Sequence, residues 1–89
     1  MDREEVLKLF KMALGFTNEK RDELYRQIIT SGEEELRRKG IQLEDTAEDT
    51  MLLCDFAAWK YSNLAKQSAM PKNLLYRIRN RKIGGRADV

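Results

Sequence analysis

Few side chains in this sequence could do chemistry, and the missing types exclude more than those present. The 89 residues contain no histidine and a single cysteine, Cys54. The imidazole base of serine and cysteine hydrolases is therefore absent, as are the His ligands of most zinc sites. One cysteine forms no internal disulfide, no Cys-pair metal site and no CxxC redox couple. Beside Leu53 and Phe56, Cys54 reads as a small buried thiol rather than a nucleophile. No phosphate-cradling glycine loop occurs, since Gly84-Gly85 stands near the chain end with no helix after it. Glu44, Asp45, Glu48 and Asp49 lack the alternating acidic loop and central glycine that calcium requires, and suit helix capping and the helix dipole instead. The expectation is a protein that is not an enzyme and uses neither cofactor nor metal.

The stretch Tyr76 to Lys82 is the remaining candidate, with Arg77, Arg79, Arg81 and Lys82 supplying four cations in seven residues. That density is compatible with phosphate contacts. On a helix, however, Arg77 and Arg81 lie on one side of the Leu74/Ile78 stripe, and Arg79 and Lys72 lie on the other. A groove-reading helix presents one polar face beyond its packed stripe, so cations flanking a protein interface fit the spacing better. Trp59 and Tyr61, two residues apart, point roughly 160° from each other on a helix and read as core and interface rather than as a base-stacking pair.

The net charge of +2 conceals a segregation. Residues 1–55 carry nine Lys/Arg and fourteen Asp/Glu, a net −5, whereas residues 56–89 carry eight and one, a net +7. Such two-ended chains suit a basic face for nucleic acid or an acidic protein, or head-to-tail contact between copies.

The elements that position these residues read as helices. With 42% hydrophobic and 36% charged residues and one proline, the chain has the balance of a small helical domain. Asp2 caps a first helix over residues 3–14, with Val6, Phe10 and Leu14 on one face and Gly15 as its stop. Thr17 caps a second helix whose stripe runs through Leu24, Tyr25, Ile28, Ile29 and Leu36 to Gly40. Gly32, inside that stripe, marks a close approach or a bend. The run Glu33 to Glu35 before Arg37 to Lys39 reads as a solvated surface of (i, i+4) pairs.

Asp45 or Thr46, with Glu48 or Asp49 three residues on, caps a third helix running to about Gln67. Pro71 begins a fourth, with Leu74, Leu75 and Ile78 on one face. Residues 1–83 form one domain and 84–89 a flexible tail. The expected class is all-α, a small bundle of four helices. The third helix is apolar nearly all round, more than three short helices are expected to cover, so its Cys54, Ala58, Tyr61 and Ala65 side is expected to meet another subunit. No run approaches the roughly 18 apolar residues of a membrane span, and the start MDREE lacks a secretory signal, which places the chain in the cytosol.

The order of these features resembles the small head-tail connector (adaptor) proteins of tailed bacteriophages and of Gram-positive prophages. The matching pieces are Leu24 to Ile41, ending LRRKGI; DTMLLCDFAAWKY over residues 49–61; and MPKNLLYRIRNRKI over residues 70–83. In that family an aromatic-rich third helix, a Met-Pro turn and an Arg/Asn-rich fourth helix recur near the chain end. Gly32 departs from the pattern, where alanine is more frequent. The resemblance implies a structural role: copies, often monomeric when free, assemble as a ring on the portal protein, extend the DNA channel and meet a tail-completion protein. It implies assembly in the host cytoplasm and then a place in the virion. It also implies portal or DNA-channel contact for Arg77, Arg79, Arg81, Lys82 and Arg86, and no membrane. The alternative reading is a small helical DNA-binding regulator that uses the basic helix 72–83.

Overall fold

In the structure, a computed structural model that describes residues 1–64 and 69–87 with side chains as far as Lys82, local caps set the helix boundaries. The Asp2 carboxylate accepts the Glu4 N–H at 3.0 Å and starts α1 (Arg3–Leu14). Past Gly15, the Phe16 N–H donates to the Lys11 carbonyl at 2.8 Å and turns the chain back over the helix end.

Thr17 does not cap the second helix. The Asn18 side chain accepts the Lys20 N–H at 3.2 Å, a local turn that competes with a helix start. Phe16 meanwhile stacks on Tyr25, ring centroids 5.2 Å apart, and holds the linker across the helix. As a result α2 (Asp22–Arg38) begins after Arg21, which offers no side-chain cap. Its first-turn Asp22 suits the helix dipole and meets Lys11 Nζ of α1 at 2.8 Å. The helix is unbroken through Gly32. Two residues past its end stands Gly40, whose φ of +94° a side chain would resist, and the Ile41 N–H reaches the Leu36 carbonyl at 3.0 Å.

Thr46 caps α3 (Ala47–Ser62), its hydroxyl accepting the Asp49 N–H at 3.1 Å. The Asp49 carboxylate reaches back to the Glu44 N–H at 2.7 Å, a reciprocal cap displaced two residues upstream of the usual box. The helix stops at Ser62, short of Gln67, with Asn63 as its cap; residues 65–68 lie outside those described. At the next helix, the Pro71 carbonyl accepts from Leu74 and Leu75 at 3.1 and 3.0 Å, which makes Pro71 the flanking residue of α4 (Lys72–Ala87). Gly84 to Ala87, placed in the tail by the sequence, continue its helical backbone, and Asp88 and Val89 lie outside the described residues.

The fold is all-α, with α3 at its centre. Helices α1 and α2 pack on α3 and on each other, while among the described residues α4 packs on α3 alone. Val6 and Phe10 of α1, Ile29 and Leu36 of α2, Leu53, Phe56 and Ala57 of α3, and Leu74 and Ile78 of α4 meet in one core. The chain's own helices cover most of this apolar helix, and Cys54, expected to face another subunit, is instead 1% exposed within the core. Tyr61 belongs to a cluster with Phe10, Phe16 and Tyr25, its ring 5.5–6.0 Å from each, and Ala58 is half-buried against the core. Ala65 lies outside the described residues.

At the α2–α3 crossing, a Cβ on Gly32 would meet Phe56 and Leu53 carbons at 3.4 and 3.6 Å, ordinary contact distances. Gly32→Ala should therefore keep the packing and recover helix propensity, raising stability by up to about 1 kcal/mol. In thermal unfolding that corresponds to a rise of about 4–8 °C for a domain of this size. Gly32→Leu, which must displace Phe56, should lower the midpoint instead.

Candidate functional site

The cations of α4 divide into two sides with different fates. Toward α3, Arg77 Nη1 meets Asp55 Oδ2 at 2.6 Å. Arg81 closes a two-pronged pair on Asp49, Nε to Oδ1 at 2.8 Å and Nη2 to Oδ2 at 3.0 Å, and Nη2 also donates to the Gln42 carbonyl at 2.7 Å. Asp49 is only 2% exposed. Burial by itself raises its carboxyl pKa, but the Arg81 guanidinium and the Glu44 N–H outweigh burial and hold it below the ordinary carboxylate value. The same hydrogen bonds raise Arg81.

On the other side, Lys72, Arg79 and Lys82 surround Leu75 and Tyr76, which are 50% and 64% exposed. Lys39, just past α2, joins them because the turn at Gly40 lies against Lys82, whose Cε sits 3.5 Å from where a Gly40 Cβ would stand. Together with Ile78 they line a surface recess of about 480 Å³. Among the described residues no carboxylate lines it and none of its four cations has an ion-pair partner.

Of the residues singled out by sequence, Arg79 and Lys82 lie on this free face. Arg77 and Arg81 are drawn instead into the α3–α4 contact, where each finds a carboxylate of α3. The Arg86 side chain is outside the described set. Lys39 was hidden in the sequence as one more cation at a helix end, and only the reversal at Gly40 brings it beside α4. The Glu33–Glu35 run is not simply solvated. Glu33 forms a two-pronged pair with Arg3 of α1 at 2.7 and 3.0 Å, and Glu35 meets Lys60 of α3 at 2.7 Å.

Among the described residues no group of three His, Cys, Asp or Glu side chains gathers to hold a metal ion, and no helix is long and apolar enough to cross a membrane. The chain matches no protein-family model, no curated protein and no solved structure.

Removing Arg81 leaves a buried carboxylate unpaired, so Arg81→Ala should cost about 3 kcal/mol in urea unfolding at neutral pH. Arg77→Ala, whose pair with Asp55 is partly solvated, should cost within about 1 kcal/mol. Equal costs for the two would contradict this division. Because the folded-state pKa of Asp49 is depressed, the unfolded chain takes up that proton first, near pH 3.9. The contribution of this group is thus complete above that pH and lost as pH falls through the lower folded value. Asp49→Asn should be less stable at neutral pH and show a shallower acid limb. Burial, aided by Asp55, pushes the Cys54 thiol up to about 11. It should resist a thiol reagent in the native protein and react fully in denaturant.

Proposed function

We propose that the chain is a structural head-completion protein of a tailed bacteriophage or prophage. In this reading it joins others of its kind as a ring on the portal, extends the DNA channel towards the tail and carries out no catalysis. The support from sequence is the ordered resemblance over residues 24–41, 49–61 and 70–83. The support from geometry rests on one observation. The core closes within a single chain, yet the last helix keeps a face of cations and exposed apolar side chains with no partner of its own. Such a face, apolar residues rimmed by charge, has the composition of a protein interface. It suits a subunit that is stable alone and associates when other parts organise it.

The alternative, a sequence-reading DNA regulator, draws less support. Arg77 and Arg81 occupy the flank of α4 nearest α3 and are engaged there, and the cations left free surround the exposed apolar Leu75 and Tyr76, a mixture closer to a protein interface than to a polar base-reading face.

Reconstruction of virions from a producing phage or induced prophage tests the proposal. Density for this chain should lie between portal and tail, and the protein should co-purify with the portal. Its location anywhere else in the particle, or sequence-selective duplex binding by the free protein, would overturn it.

A further inference from the structure

A second surface bears on what the free face of α4 meets. At the junction of α1 with the start of α3, Glu5, Leu9, Asp45 and Met51 line a shallow recess of about 270 Å³. Met51 is 42% exposed and the Asp45 side chain 82%. Glu48, also exposed, lies between the lining residues Ala47 and Thr50 of α3 without itself lining the recess. Among the described residues no Lys or Arg lines it, just as no carboxylate lines the basic recess. Asp45 has one weak partner, the chain's own amino terminus at 3.8 Å. Both recesses combine charge of one sign with exposed apolar side chains, Met51 on one and Leu75 and Tyr76 on the other.

The two surfaces do not meet within one chain. Among the described residues no side chain lines both recesses, and no ion pair joins a residue of one to a residue of the other. One chain therefore cannot close its acidic recess with its own basic face. Contact between two copies satisfies one surface of each and leaves the other pair open, which is a heterologous, head-to-tail contact that propagates or closes into a ring.

From this we propose that the occupant of the basic recess is a second copy of this chain. Lys72 and Arg79 of one copy face Glu5 and Asp45 of the next, with Tyr76 and Leu75 against Met51. Complementary charge fixes the register and the direction of approach, and the apolar contacts lie beneath it. The inference rests on the assembly reading above and specifies which surfaces that assembly joins.

Two variants test it: Lys72→Glu/Arg79→Glu reverses the basic face, and Glu5→Lys/Asp45→Lys reverses the acidic one. None of the four side chains is buried, and far-UV circular dichroism with urea unfolding verifies that both variants remain folded. Sedimentation velocity of the full chain, at low ionic strength and up to millimolar concentration, should show self-association of the wild type. Each variant alone should lose it, since every contact then joins like charges, and added salt should weaken it in the wild type. A mixture of the two variants should associate again, with the copies alternating. A wild type that stays monomeric throughout, association insensitive to both reversals, or a mixture that fails to assemble would overturn the pairing. Binding of short duplex DNA by a monomeric wild type, abolished by Lys72→Glu/Arg79→Glu, would assign the face to phosphate instead. A chain found between portal and tail that fails the exchange loses only this pairing. One that passes it but is absent from virions loses the connector reading.

Discussion

A carboxylate withdrawn from water to the extent of Asp49 destabilises a small fold by several kcal/mol unless each oxygen is answered. Here both are. One accepts from Arg81 Nε, the other from Arg81 Nη2 and the Glu44 N–H, while the Asp49 N–H donates to the Thr46 hydroxyl. Four pieces of chain are therefore tied at one residue: the α2–α3 link, the cap of α3, the first turn of α3 and the middle of α4. The Arg81 bond to the Gln42 carbonyl adds a second attachment to the link. Capping and tertiary docking, normally separate contributions, become one network whose members depend on each other.

The same pairing changes the meaning of the charge asymmetry. Part of the surplus of cations after residue 55 is spent inside the fold, on Glu35 through Lys60, on Asp55 through Arg77 and on Asp49 through Arg81. Among the described side chains, what remains on α4, at Lys72, Arg79 and Lys82, is smaller than the sequence total but concentrated on one face, and Lys39 adds to it. A partner therefore encounters a local concentration of positive charge, and the net +2 of the chain predicts neither its size nor its place.

Much of the fold was legible because it rests on local signals. The Asp2 cap and the Gly15 and Gly40 stops act within a turn of the residues that carry them, and α1 begins and ends where those signals put it. The boundaries that moved were set by longer-range or competing contacts: the Asn18 turn and the stacking of Phe16 on Tyr25 displaced the start of α2. On α3, the apolar girth was read correctly as a demand to be surrounded. How much of that demand the chain meets by itself was not legible, since the sequence does not reveal that α1, α2 and α4 all converge on that one helix. The site was half visible. Spacing alone separated Arg77 and Arg81 from Arg79 and Lys72, but which pair faces inward depends on Asp49 and Asp55, on a different helix.

That dependence determines how α4 sits. Only Leu74 and Ile78 of its described side chains are buried, and burying each contributes about 1.5–3 kcal/mol whichever way the helix rolls about that narrow stripe. Two apolar residues, flanked on both sides by cations, hold the helix down without choosing its rotation. The choice comes from α3, whose carboxylates lie on the side that receives Arg77 and Arg81. By drawing those two inward, Asp49 and Asp55 turn Lys72, Tyr76 and Arg79 outward. The acids that neutralise one flank of the helix thereby create the free basic face.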